Sequence, residues 1–160
     1  MRINGNLPKK IFGVKLKDKH KLCESQSGGA FTGIAEYFIR QGAIVYGCGL
    51  DDNQRAIYYR VTSIEQLNKL KKSKYVQAEL GHTLVSVKED LELGKIVLFS
   101  GTPCYVAAVK NFVEKCNNKH NLYTIDIICH GVPSPLVYNE YIAALSEKRN
   151  KKVNKFIFRN

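Results

Sequence analysis

The segment Gly94-Lys-Ile-Val-Leu-Phe-Ser-Gly-Thr-Pro-Cys104 constrains the fold more than any other stretch. An apolar run from Ile96 to Phe99 ends in a turn of small residues, and a helical pattern opens at Cys104. Strand, tight loop and helix in that order make the unit of an open α/β sheet, whose ligand sites lie beyond the carboxyl ends of the strands. Free N–H groups at the helix start favour an anionic partner such as a phosphate, and a cysteine placed there can have a depressed thiol pKa. The same order recurs in Tyr123-Thr-Ile-Asp-Ile-Ile-Cys-His-Gly-Val-Pro-Ser-Pro135. Two loops of one kind belong on one edge of a parallel sheet. A third, Glu24-Ser-Gln-Ser-Gly-Gly-Ala-Phe-Thr32, places hydroxyls and two glycines ahead of an apolar stripe at Phe31, Ile34, Ala35 and Phe38. Glycine lets backbone approach a ligand, and serine suits a helix N-cap.

Between these loops the pattern predicts strands at Ile11–Leu16, Ala43–Cys48, Ala56–Val61, Leu122–Ile128 and Val153–Phe158, with Ala56–Val61 antiparallel to its predecessor. Helices are expected over Gly28–Gln41 and Ser63–Leu70, then along Leu84, Val87 and Leu91 up to Gly94. Two more follow Val106, Val109 and Val113, and Val137, Tyr141, Ala144 and Leu145. The chain therefore starts as β-α-β and reads as α/β, a mixed, mostly parallel sheet flanked by helices in a single domain over residues 1–160. Ser73-Lys-Tyr-Val-Gln77 is irregular and polar among apolar neighbours. The last strand runs to the terminus, which suggests a fragment truncated at its carboxyl end. An open sheet edge at Phe156–Phe158 would favour a homo-oligomer.

Composition narrows the function classes. With 160 residues, 44% hydrophobic and 24% charged, the chain suits one ordinary globular domain. No stretch approaches the roughly 20 apolar residues that span a bilayer, and Met1 to Pro8 lacks the apolar centre of a signal peptide; the expectation is a cytoplasmic protein with no transmembrane segment. The net charge of +11 raises nucleic acid or acidic lipid as partners. Its lysines fall in short clusters, Lys9 to Lys21, Lys69 to Lys74 and Lys148 to Lys155, without an aromatic-plus-basic recognition motif. They read as solvated faces, a minority steering an anionic cofactor or an acidic protein, and no specific nucleic acid is expected. The five cysteines are odd in number, widely spaced and without Cys-x-x-Cys. That excludes a disulfide framework, a zinc ribbon and a ferredoxin-type run, and points to a reducing compartment.

Taken singly, each motif has a plain structural reading. Ser25-Gln-Ser-Gly-Gly29 is a helix cap, Gly101 to Cys104 a turn with a buried cysteine, and Cys129-His130-Gly131 a half-buried strand end. Lys74 and Tyr75 are a surface lysine and a packing tyrosine. Together and in this order the loops, with Val45-Tyr-Gly47 and Ser73 to Gln77, resemble the coenzyme F-420 hydrogenase/dehydrogenase beta-subunit family over roughly residues 10 to 160.

The resemblance implies a flavoprotein module that binds FAD and passes electrons between iron-sulfur clusters and a hydride-carrying partner, a deazaflavin coenzyme in methanogens. It assigns flavin contacts to Ser27, Gly28, Gly29 and Thr32, to Ser73, Lys74, Tyr75 and Gln77, and to Gly101, Thr102, Pro103 and Cys104. Lys74 and Cys104 are the expected catalytic positions. The lysine would place positive charge beside the reduced flavin's N1 and C2 oxygen. Cys104 and Cys129 become candidate ligands of a four-iron four-sulfur cluster in the complete protein or complex. A ferredoxin-like or other electron-transfer protein and a small-molecule redox coenzyme are the implied partners. The sequence departs from the family pattern in lacking a ferredoxin-like amino-terminal segment and a carboxyl-terminal extension, and in Ala78 and Tyr105, where serine and glutamine are common. A cofactor-free scaffold or interaction module retaining the fold is therefore the alternative, while nucleic-acid binding rests on net charge alone.

Overall fold

Four of the predicted runs pair into one sheet in the computed structural model, which describes residues 8–158. β1 (Ile44–Leu50) lies between β2 (Ala56–Val61) and β3 (Val97–Gly101), and β4 (Leu122–Asp126) closes the order β2-β1-β3-β4. β3 runs parallel to β1, from Ile44 opposite Val97 to Tyr46 opposite Phe99. β4 runs parallel to β3, from Val97 opposite Leu122 to Gly101 opposite Asp126. β2 turns back antiparallel as the Asp51 carboxylate accepts hydrogen bonds from the backbone N–H groups of Asn53 (2.9 Å) and Arg55 (2.8 Å).

β3 is buried at every residue, the burial on both faces that makes a parallel strand read as a continuous apolar run. One face presents Ile44, Tyr46, Val97 and Phe99 to α4 (Thr83–Glu92) and α5 (Pro103–Phe112) through Val87, Leu91, Val106 and Val109. The other presents Val45, Val61 and Leu98 to Ala35 of α2 (Ala30–Arg40) and to Leu67 of α3 (Ile64–Leu67). The result is a helix/sheet/helix sandwich. Local chemistry sets the ends. Thr102 caps α5 in extended conformation ahead of Pro103 at the first turn, and Gly94 at φ +74° lets the chain leave α4 for β3. The predicted α2 stripe holds at Phe31, Ala35 and Phe38, but Ile34 is 41% exposed.

Two predicted strands are absent. Ile11–Leu16 forms no strand, so no β-α-β unit opens the fold. The segment is a strap across the start of α2, where Leu16 N–H donates to Gly28 O (2.8 Å). Val153–Phe158 pairs with no strand either; its rings turn toward α6 (Pro135–Arg149), with Phe158 stacked 5.5 Å from Tyr138. The open sheet edge expected at Phe156–Phe158 is therefore not there. Outer edges belong to β2 and β4, and β4 ends at Asp126 rather than Ile128. The amino-terminal residues that bear on a leader, Met1 to Leu7, lie outside the described residues.

Candidate functional site

Glycines in β1 open a groove at its carboxyl end. A Cβ on Gly49 would come within 2.8 Å of the Lys69 carbonyl oxygen, and one on Gly47 within 3.1 Å of Leu70. The absent side chains let the backbone around Lys69 cross directly over the strand. A lysine-rich turn follows, and Lys74 Nζ reaches back to the carbonyls of Lys71 (2.7 Å) and Lys69 (3.2 Å). Desolvation pushes the Lys74 ammonium down to about 8. The Cys48 thiol is pushed up to about 11 by burial.

Ser73 to Glu79 then forms a strap linking three parts of the molecule. Glu79 N–H donates to Ala56 O (2.8 Å) and Tyr58 N–H to Glu79 O (3.3 Å), extending the β2 edge. Gln77 N–H donates to Pro133 O (3.1 Å) in the loop after β4. Tyr105 of α5 donates its hydroxyl proton to Ala78 O (2.5 Å). Tyr105 and Ala78, the two departures from the family motifs, thus meet each other. Val76 and Ala78 are buried with Ala56 and Tyr138, and the Tyr75 ring lies 6.0 Å from Phe158.

A cleft of about 750 Å³ opens where this strap leaves β1. One wall is cationic, carrying Lys69, Lys71, Lys72, Ser73 and Lys74. Asn154 to Phe158 line the cleft as well, Phe156 and Phe158 being packed at the same time against Tyr138 of α6. Leu50, Asp51 and Gln54 line it from the β1–β2 turn, and Cys23 and Glu24 from α1 (Lys19–Glu24). Glu24 pairs with Lys71 at 2.8 Å. The Lys69 ammonium stands 5.1 Å over the Tyr59 ring.

Of the residues singled out from sequence, Ser73 and Lys74 line this cleft and Tyr75 touches its aromatic wall. Gly101, Thr102, Pro103 and Cys104 stand at the carboxyl end of β3 outside its lining. Gly101 is required there, since a Cβ would fall 2.5 Å from the Tyr58 hydroxyl. Ser27, Gly28, Gly29 and Thr32 also lie outside it. Their close approach is to the chain's own strap: a Cβ on Gly28 would run into the Val14 carbonyl oxygen, and one on Gly29 would meet Leu16 Cδ1 at 2.5 Å. The Thr32 hydroxyl is buried 2.7 Å from that of Ser25. Cys104 and Cys129 are both exposed; Cys104 Sγ lies 3.1 Å from Thr102 Oγ1, and Cys129 Sγ accepts from Gly131 N–H at 3.3 Å. Among the described residues no three His, Cys, Asp or Glu side chains gather so as to hold a metal ion. Gln54 and Cys48 carry no site expectation from the sequence, and Phe156 and Phe158 were expected at a sheet edge rather than at a cleft. The strand glycines Gly47 and Gly49 were the available signal.

Residues 11–84 match the family model for the amino-terminal region of the coenzyme F420 hydrogenase/dehydrogenase beta subunit, and residues 94–160 match the model for its carboxyl-terminal region. The chain belongs to the coenzyme F420 hydrogenase/dehydrogenase beta-subunit family. The cleft of this family member draws its cationic wall from the first match and its aromatic wall from the second. In fold it is similar to a chain of the F420-reducing [NiFe] hydrogenase complex from Methanosarcina barkeri, with a TM-score of 0.66 and 18% identity, over 83% of this chain and 48% of that one. The family member described here thus spans about half the length of that relative. No curated protein matches it in sequence. Among the described residues no helix is long and apolar enough to cross a membrane.

Proposed function

We propose that this chain is an FAD-binding oxidoreductase domain that relays electrons between iron-sulfur carriers and a hydride acceptor or donor such as a deazaflavin coenzyme. The single observation that carries the proposal is the cleft at the carboxyl end of β1. Its volume, about 750 Å³, lies within the roughly 300–1,000 Å³ of small-ligand and cofactor sites. Its lining suits a flavin dinucleotide, with lysines for the anionic pyrophosphate and Phe156 and Phe158 for a planar ring. A bound flavin supplies hydride chemistry on one side and single-electron exchange on the other. The chain's own work is to bind and orient. Lys69 and Lys72 present positive charge at the mouth, Lys71 is held by Glu24, and Ser73 adds a hydroxyl. Lys74 orders the turn through two carbonyls and holds a proton on Nζ that is released near pH 8, close to the pH at which a proton-exchanging group works best.

The donor set does not extend to a cluster. Cys104 and Cys129 offer at most two of the four thiolates that a four-iron four-sulfur centre takes, so the proposal assigns iron-sulfur carriers to the complete protein or complex, including partner proteins of the ferredoxin kind. One observation favours the alternative of a cofactor-free scaffold: the Ser27–Gly29 loop is closed by the chain's own strap. An anaerobic absorption spectrum of the purified chain with added FAD and then dithionite separates the two readings. Retained flavin bands that bleach on reduction support the oxidoreductase; a chain that leaves a desalting column colourless, with all FAD held back, is a fragment or a cofactor-free scaffold.

A further inference from the structure

The aromatic wall belongs to a segment with no place in the sheet, yet its position is fixed. Gln54 accounts for that. It sits in the β1–β2 turn at φ +63°, a left-handed conformation that costs a non-glycine residue about 1 kcal/mol, and it is only 6% exposed. Its carboxamide Nε2 donates to Asn154 O (3.1 Å), and its Oε1 accepts from Phe156 N–H (2.9 Å). One side chain thus offers the donor and acceptor that a neighbouring strand's peptide groups would offer, to backbone 100 residues away. Asp51 shapes the turn beneath it through Asn53 and Arg55, and Arg55 closes the turn with an ion pair to Asp51 at 2.8 Å. With residues 154 and 156 pinned, the register of the extended segment follows, and Phe156 and Phe158, two apart, both reach the Tyr138 ring. Their centroids stand 4.8 Å apart, against Tyr138 at 5.8 Å and 5.5 Å.

We propose that Gln54 is a positioning residue, a latch that holds Phe156 and Phe158 as the aromatic wall of the cleft and so sets its affinity for a planar, anionic, heteroaromatic ligand. The identity of the ligand rests on the flavin reading above; the latch rests on the hydrogen bonds alone.

Gln54→Gly tests it in the whole chain, because glycine accepts the positive φ while the side chain, carboxamide included, is removed. Two readouts need no ligand: tryptic cleavage after Lys155, located by mass spectrometry, and hydrogen exchange at the Phe156 amide. FAD titration, followed by fluorescence quenching, is the third. Gln54→Gly is expected to speed cleavage after Lys155 and exchange at Phe156 at least tenfold and to raise the Kd for FAD at least tenfold. Gln54→Glu should fall between, since a carboxylate still accepts from Phe156 N–H but has no N–H for Asn154 O. Phe158→Ala should weaken FAD while leaving the Phe156 amide protected, and it secures the result should Gln54→Gly prove unstable. Unchanged cleavage and exchange in Gln54→Gly would overturn the latch; a released segment with a Kd within twofold of the wild type would overturn its role in binding. Failure of the wild-type chain to bind FAD would sink the flavin reading alone, and release of the segment in Gln54→Gly would then still support the latch.

Discussion

Lys74 shows how one side chain ties the site to the stability of the fold. Its half-buried ammonium lies near Cys48 and is pushed down by desolvation to about 8 in the folded chain, against 10.5 when free. Below about pH 8 both states carry the proton and the fold bears the full cost of burying it. Between about 8 and 10.5 the unfolded chain still holds a proton that the folded chain has released, so stability rises with pH, by at most about 1.4 kcal/mol per pH unit. Cys48 acts in the opposite sense. Its folded value near 11 exceeds the free value of 9.0, so the unfolded chain loses its proton first and stability declines above about pH 9. Urea unfolding midpoints should therefore climb from pH 8 to 9 in the wild type, and that climb should vanish in Lys74→Met; equal slopes in the two proteins would refute the burial of the charge. Read on its own, Lys74 looks like a surface lysine, and only the family resemblance singles it out. Nothing in the sequence singles out Gln54 or Cys48. Their roles depend on partners brought together by the fold, Asn154 and Phe156 for Gln54 and Lys74 for Cys48, and a turn glutamine or a lone cysteine carries no local signal of such a partner.

Helix α4 is fastened to the sheet by more than apolar contact. Asp90 accepts a hydrogen bond from the Tyr46 hydroxyl on β1 (2.5 Å) and a bidentate pair from Arg60 on β2, Nε at 2.8 Å and Nη2 at 2.9 Å. Burial would raise the Asp90 carboxyl, but the bonds from Arg60 and Tyr46 outweigh it and hold the pKa below the usual carboxylate range. This contribution is fully present above the unfolded value of about 4 and is lost as pH falls through the folded one. Because the guanidinium side chain is 45% exposed, Asp90→Ala should cost about 2 kcal/mol, below the ~3–5 kcal/mol of a fully buried broken pair. The same variant should lose part of the acid sensitivity of the wild type, and an acid titration followed by circular dichroism reads both effects. At this scale the sequence served well where an element's pattern reflected its burial, as in β1, β3, α2 and α5. It misread Ile11–Leu16 and Val153–Phe158 for a common reason. An apolar run can be extended without joining a sheet: a strand also needs a neighbouring strand to complete its hydrogen bonds, whereas Ile11–Leu16 stays largely exposed and bonds to Gly28, and Val153–Phe158 bonds to the Gln54 carboxamide.

The two edges of the sheet are treated differently, and the difference bears on how the whole molecule behaves. The β2 edge is partly covered by the strap, through the bridge between Ile57 and Glu79. The β4 edge pairs only with β3, and apolar side chains follow it into the next loop and α6: Ile127 is 50% exposed, Ile128 88%, Leu136 68% and Val137 57%. An open edge beside exposed apolar residues favours contact between chains, while a net charge of +11 opposes it by mutual repulsion. Salt weakens the repulsion, with a Debye length of about 10 Å at 0.1 M, and leaves the apolar attraction intact. The isolated chain should therefore sediment as a monomer at low ionic strength and associate increasingly as salt is added. Docking of an acidic electron-transfer protein on the lysines has the opposite dependence, since it is the charges themselves that attract. Ile128→Glu places a carboxylate at the most exposed of these positions without touching the core, so it should move the onset of self-association to higher protein concentration and shift the Tm by no more than a degree or two. Association that declines with salt, or that Ile128→Glu leaves unaltered, would show that the lysines rather than the β4 edge bring the chains together.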